Sequence, residues 1–313
     1  MPLKINCAPS YTLQTGSNTT YAGTEGIEAA LIAAALDQGY IVNSPDWEGP
    51  KSVFVAGIEA GQASLDSIRA ASKSGSLTSI SPFAKVQMWG YSGGAFASAW
   101  AAERQASYAS EIPFVAMAIG GITPNVVKVF DTLNKGTFAG ISAAGFLGLG
   151  NAYTDFDAYV QSSLIPERGC CFQPGWISTL TSSRDRQSST LNPIVNTTIT
   201  NRATMGRHGT PSMPIFAYKA VAGEISPIAD TDALVQQFCN AGVSVTYVRD
   251  PFGEHFTQAA TSTGDVLNFL ADRFNGVSIS GCSIRSEFLD ALDPGAPGRL
   301  GVSLTQVLLN ALG

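Results

Sequence analysis

The stretch KVQMWGYSGGAFASAWAAERQ (85–105) restricts the fold more than any other part of the chain. A β-type run, KVQMW (85–89), meets an alanine-rich helical run, GAFASAWAAERQ (94–105), across Gly90-Tyr91-Ser92-Gly93-Gly94. The strand must therefore turn straight into a helix. This is the pattern G-x-S-x-G, in which the serine at the apex takes a strained backbone conformation. The flanking glycines keep side chains from colliding with the incoming strand and the outgoing helix.

The rest of the chain alternates in the same way, short β-branched runs with longer amphipathic segments, which is the pattern of an α/β sheet. Residues 26–38 predict a helix closed by Gly39, followed by a short strand at Tyr40–Asn43, the turn SPDWEGP and a helix over 57–73. PFVAMAIGG (113–121) predicts the strand after the alanine-rich helix. From about 122 to 210 the alternation gives way to small-residue helices and a polar Ser/Thr/Asn stretch. It resumes with PIFAYK (214–219, strand), a helix over 229–242, VSVTYVRD (243–250, strand) and a helix over 255–274, and the tail ends in an apolar helix, 303–312. The expectation is an α/β-hydrolase fold, with a core formed by 1–121 and 211–313 and a helical cap or lid inserted at 122–210.

Composition narrows the partners. Charged residues make up 13% of the 313, against about 25% in a typical soluble protein, so the surface is unusually neutral. A net charge of −6 argues against nucleic acid or an anionic membrane as partner. No apolar run reaches the length of roughly 18 residues that spans a bilayer, so no transmembrane segment is expected. The first residues, MPLKINCAPSY, lack the apolar core of a secretory leader, so the chain as written is expected not to be exported. Five cysteines (Cys7, Cys170, Cys171, Cys239 and Cys282) and Asn-x-Thr triplets at Asn18 and Asn196 point the other way, to a relative of secreted glycoproteins. With no C-x-x-C pair and two histidines, a zinc site is not expected, and no metal or organic cofactor is implied.

A serine hydroxyl needs a neighbouring base to become a nucleophile. In this fold the chain order is serine, acid, histidine, with the histidine after the last strand. His255 follows VSVTYVRD and is the expected base; His208 falls inside the suspected cap and reads as structural. The acid should follow PIFAYK, where the only carboxylate of the turn is Glu224. Asp230 and Asp232 come next but read as helix-capping residues. The backbone N–H of Gly93 is one expected oxyanion donor, and the second is expected near or before residue 10.

The phrases CAPSYTLQTGS (7–17), SPDWEGPKSVFVAG (44–57), AGQASLDSIRAA (60–71), VQMWGYSGGAFASAWAAE (86–103) and YKAV through SPIADTDALVQQFC (218–239) to His255 run in an order that resembles the fungal secretory lipases, the Candida antarctica lipase A-like family. The resemblance implies a triacylglycerol lipase or carboxylesterase, extracellular, with a helical cap over an apolar pocket. It also implies disulfides from Cys7 to the Cys170/Cys171 pair and from Cys239 to Cys282. In the family the turn after the acid-bearing strand reads like Y-K-x-x-x-Asp-Glu-x-x-Pro; here Gly223 stands at the aspartate position, beside a matching Glu224. The family also carries a substantial portion ahead of the Cys7 phrase, with early strands and an oxyanion-hole residue, that is not found before Cys7 here.

The leading expectation is a serine ester hydrolase acting through a Ser92–His255 acyl-enzyme on a lipid or ester substrate, with a lipid–water interface as a further partner. Two other readings stay open: Gly223 and the portion not found before Cys7 fit a catalytically silent lipase scaffold that binds an apolar ligand, and an acyltransferase would use the same triad with a different acceptor. Phe138, Phe146, Leu147 and Trp176 of the cap either line an acyl pocket or pack as core.

Overall fold

The computed structural model describes residues 24–133, 136–163 and 193–287. Among the described residues, five strands form one sheet in chain order: β1 (Val86–Tyr91), β2 (Phe114–Gly120), β3 (Ile215–Ala220), β4 (Val245–Asp250) and β5 (Cys282–Ser286). All four pairings are parallel. Parallel neighbours cannot be joined by hairpins, so each connection crosses the sheet and helices come to cover its faces.

The helices are α1 (Thr24–Asp37), α2 (Gly57–Lys73), α3 (Gly75–Thr78), α4 (Gly93–Tyr108), α5 (Val126–Leu133), α6 (Ala139–Ala152), α7 (Thr154–Ser163), α8 (Pro193–Arg202), α9 (Ile228–Asn240), α10 (His255–Thr261) and α11 (Thr263–Phe274). Strand side chains alternate between faces. Met117, Ile119, Ile215, Ala217, Val245 and Tyr247 pack with Leu65 of α2, Trp100 of α4 and Phe238 of α9. Ala116, Ala118, Phe216, Tyr218 and Val248 pack instead with Val266, Phe269 and Leu270 of α11, and α1 extends that layer by setting Ala30 and Ala34 against Leu267 and Trp89. All six residues of β3 are buried. Each large apolar side chain so enclosed contributes roughly 1.5–3 kcal/mol.

Helices α5 to α8 lie between β2 and β3 in the chain. Phe146 of α6 stacks between Phe130 (4.5 Å between ring centres) and Phe156 (6.0 Å), and both partners belong to the core on the α4 side of the sheet. It is therefore a packing residue. Phe138, at the start of α6, is directed elsewhere and meets Phe256 at 5.0 Å. Trp176 lies outside the described residues, as do the tail helix expected at 303–312 and Cys7, Cys170 and Cys171.

Three expectations need correction. Tyr40–Asn43 is not a strand. The Tyr40 N–H closes α1 on the Ala35 carbonyl, and Asn43 spends its side chain on Ser67 of α2, so no ladder forms. The helix expected over 255–274 is two helices broken at Ser262, whose hydroxyl turns back onto the Gln258 carbonyl. β5 was not anticipated: its five residues are all exposed, which leaves no apolar alternation to read. It is held by its ladder to β4 and by the Cys239–Cys282 disulfide, 5.8 Å between Cα atoms.

Candidate active site

The C-terminal ends of β1 to β4 open on one edge of the sheet, where α/β proteins gather their ligands. At the end of β1, Ser92 has φ 51° and ψ −113°. A non-glycine residue held there costs on the order of 1–3 kcal/mol, and the surroundings hold it firmly. The Ser92 N–H donates to the Gly120 carbonyl at 2.9 Å and the Ser92 carbonyl accepts from Phe96 at 2.9 Å. Gly90 is required because a Cβ there would lie 2.2 Å from the Gly94 carbonyl oxygen. Gly94 has open space at the same place, so its own side chain is not what the turn excludes.

Ser92 does not cap α4 with its hydroxyl. Its Oγ stands 2.9 Å from His255 Nε2. Gly93 opens α4, where backbone N–H groups have no intrahelical acceptor and the helix dipole favours negative charge. Trp47 and Phe54 lean over it, 3.4 and 3.9 Å from where a Cβ would be. The segment read only as a turn thus walls the elbow.

His255 opens α10, whose N-terminus is fixed by a reciprocal pair of hydrogen bonds between Glu254 and Thr257. It is 4% exposed. Burial pushes its imidazole down to about 4, the positive charge of Lys219 pushes the same way, and Glu224 opposes them. The Tyr91 hydroxyl donates to the His255 carbonyl. Gly121, at φ 57°, lets the chain pass the ring: a Cβ there would sit 2.9 Å from His255 Cε1. Among the described residues no group hydrogen-bonds to Nδ1.

Glu224 reaches His255 through the main chain, its Oε2 accepting the His255 N–H at 2.9 Å. Gly223 lies in the turn below, its N–H on the Ala220 carbonyl at 3.2 Å. His208 stands apart from this cluster, its ring against Trp100 at 4.8 Å and its N–H on the buried Glu103 carboxylate at 3.1 Å. Asp230 is not the cap of α9, which begins after Pro227; it lies in the first helical turn. Asp232 accepts from the Tyr247 hydroxyl at 3.0 Å and pairs with Arg249 at 3.3 Å. The region expected to hold the second oxyanion donor lies outside the described residues.

Sequence reasoning missed Tyr91 and Gly121 as neighbours of His255, and the charge of Lys219 that bears on it. Tyr91 is the free position of G-x-S-x-G and Gly121 ends a strand, so neither carries a local signal. Among the described residues no three metal-binding side chains cluster, and no helix is long and apolar enough to cross a membrane.

The secretory lipase family model matches residues 13–281. Lipase A of Arthroderma benhamiae is 37% identical, over 99% of this chain and 70% of that protein. The trichothecene C-3 esterase of Fusarium sporotrichioides is 32% identical, over 87% of this chain and 63% of that one. In three dimensions the chain resembles Candida antarctica lipase A with a TM-score of 0.83 at 29% identity, over 97% of this chain and 75% of that one. A match of this extent in sequence, repeated in the fold, means that the chain belongs to the secretory lipase family and is a serine ester hydrolase of the α/β-hydrolase fold.

Proposed function

We propose that Ser92 is the nucleophile and His255 the general base of an acyl-enzyme route to ester hydrolysis. The observation that carries this reading is the 2.9 Å approach of His255 Nε2 to a serine oxygen on a strained strand-to-helix elbow. As Oγ attacks the ester carbonyl, its proton passes to Nε2. The Gly93 N–H and the positive end of α4 stabilise the oxyanion. Collapse returns the proton to the departing alcohol, and water, activated by the same imidazole, releases the acid. Glu224 supports the imidazolium electrostatically from its seat on the His255 main chain.

The substrate is a lipid or another apolar ester. Trp47 and Phe54 flank Gly93. Phe256 stands edge-on against His255, with Phe138 against Phe256 in turn. Phe252, in the turn between β4 and His255, is 80% exposed, as suits a lipid–water interface. Residues 122–210 would act as the cap over this pocket. Relatives named as lipases and as a trichothecene esterase suggest that the acyl and alcohol pockets diverge within the family. An extracellular setting agrees with the secretory family, the disulfide and the glycosylation triplets at Asn18 and Asn196.

Fluorophosphonate labelling followed by mass spectrometry tests the assignment. The adduct is expected on Ser92 and absent from Ser92→Ala and His255→Ala, with turnover of p-nitrophenyl butyrate falling by about 10⁴–10⁶ in each. Turnover that survives Ser92→Ala would sink the reading.

A further inference from the structure

We propose that Lys219 is a positioning residue of this site, a buried cation that ties together the segments around His255 and acts on its imidazole through charge. The proposal rests on His255 being the base.

Lys219 lies in β3 and is 1% exposed. Its ammonium uses all three donors, on the Ile122 carbonyl at 2.8 Å, the Ser226 hydroxyl at 2.5 Å and the Thr231 hydroxyl at 3.1 Å. Two of the three acceptors belong to segments that bear on the base. Ile122 follows Gly121, which passes the His255 ring; Ser226 follows Glu224, which holds the His255 N–H; Thr231 lies in the first turn of α9. One side chain thus ties the ends of β2 and β3 to α9.

A neutral isostere could make such a tie more cheaply, because a buried charge without a paired carboxylate carries a large desolvation cost. No described carboxylate lies within ion-pair distance of Lys219; Asp230 and Asp232 on α9 oppose its charge only at longer range. What the charge adds is its field at His255. The charged groups that bear on the imidazole are Lys219 from β3 and Glu224 from the following turn; Tyr91 and Ser92 face it as neutral hydroxyls. A second cation at His255 is therefore disfavoured, and the ring stays neutral to lower pH. Burial lowers Lys219 itself to about 8, so its charge is present throughout the acidic range in which it matters.

The test is the pH dependence of kcat/KM for p-nitrophenyl butyrate in Lys219→Gln and Lys219→Arg. Gln keeps a donor and loses the charge; Arg keeps the charge. The acid limb is expected to rise toward that of an ordinary histidine in Lys219→Gln, cutting the rate at about pH 5 several-fold relative to the plateau, and to stay in place in Lys219→Arg. A limb that does not move in Lys219→Gln, with or without a uniform loss of rate, overturns the proposal. Should Lys219→Gln fail to fold, NMR titration of His255 in the wild-type chain decides: an imidazole that titrates at about 6.5 or above overturns it. Fluorophosphonate labelling of Ser92 at neutral pH reports separately on His255 as base.

Discussion

The elbow after β1 and the turn after β3 both carry the chain from a parallel strand toward the same site, yet they are built on opposite plans. At the elbow, backbone atoms crowd so closely that Gly90 admits no side chain and Ser92 is held at φ 51°. After β3 the chain has slack. Gly223 has no positive φ, a Cβ there would meet Ala220 alone, its carbonyl oxygen at 3.1 Å and its Cβ at 3.8 Å, and Val221 in the same turn is 39% exposed. Sterics dictate residue identity at the first place. At the second, Glu224 meets His255 through a main-chain N–H and acts on the ring only through charge, over several ångströms. The serine therefore sits where its motif puts it, whereas Gly223 stands where the family resemblance indicates an aspartate, and the matching Glu224 engages a main-chain N–H.

Substitution can break this contrast at either end. Gly90→Ala should have the largest effect, because the obstacle is backbone that cannot rotate away. We expect a loss of roughly 2–4 kcal/mol in denaturant unfolding, with activity abolished; a stable, active variant would show that the elbow has slack after all. Gly223→Asp should act in the opposite direction. A carboxylate able to approach Nδ1 stabilises the imidazolium, so kcat/KM on the plateau should rise at least about tenfold, within the roughly 10⁴ that such a group is worth elsewhere. Its acid limb should move to higher pH, because a neighbouring anion favours the protonated ring. No gain would mean that the turn cannot deliver a side chain to the ring.

Glu224→Gln should have the smallest effect. It removes the negative charge that opposes Lys219, so the acid limb should move to still lower pH while the plateau falls only a few-fold. A plateau loss of 10³ or more would instead make Glu224 the effective acid. The same imidazole affects stability. Lowered from 6.5 to about 4 in the native state, it favours the fold fully above 6.5, and that contribution is lost as pH falls toward 4.

Much of this molecule was legible before any coordinate. The helix expected over 57–73 ends where it was placed, and the central strands and α4 lie within a few residues of expectation. Strands buried on both faces and helices with a regular apolar stripe leave strong local patterns. That Ser92 and His255 would meet was legible because a strand-turn-helix and a fixed chain order locate them. Tyr40–Asn43 and β5 were misread for a common reason: whether a segment becomes a strand depends on a neighbour to pair with, and neither composition nor periodicity reports that neighbour.

What the sequence determined by itself is therefore whatever local sterics and periodicity enforce, namely the elbow, the alternating layers and the order of the reactive residues. Only the tertiary structure decided how His255 is tuned. It set Glu224 on the histidine's main chain, Tyr91 on its carbonyl, and a charged lysine that ties the ends of β2 and β3 to α9. Those effects come from groups tens to more than a hundred residues apart in the chain, and burial and Coulomb forces depend on distance in space alone.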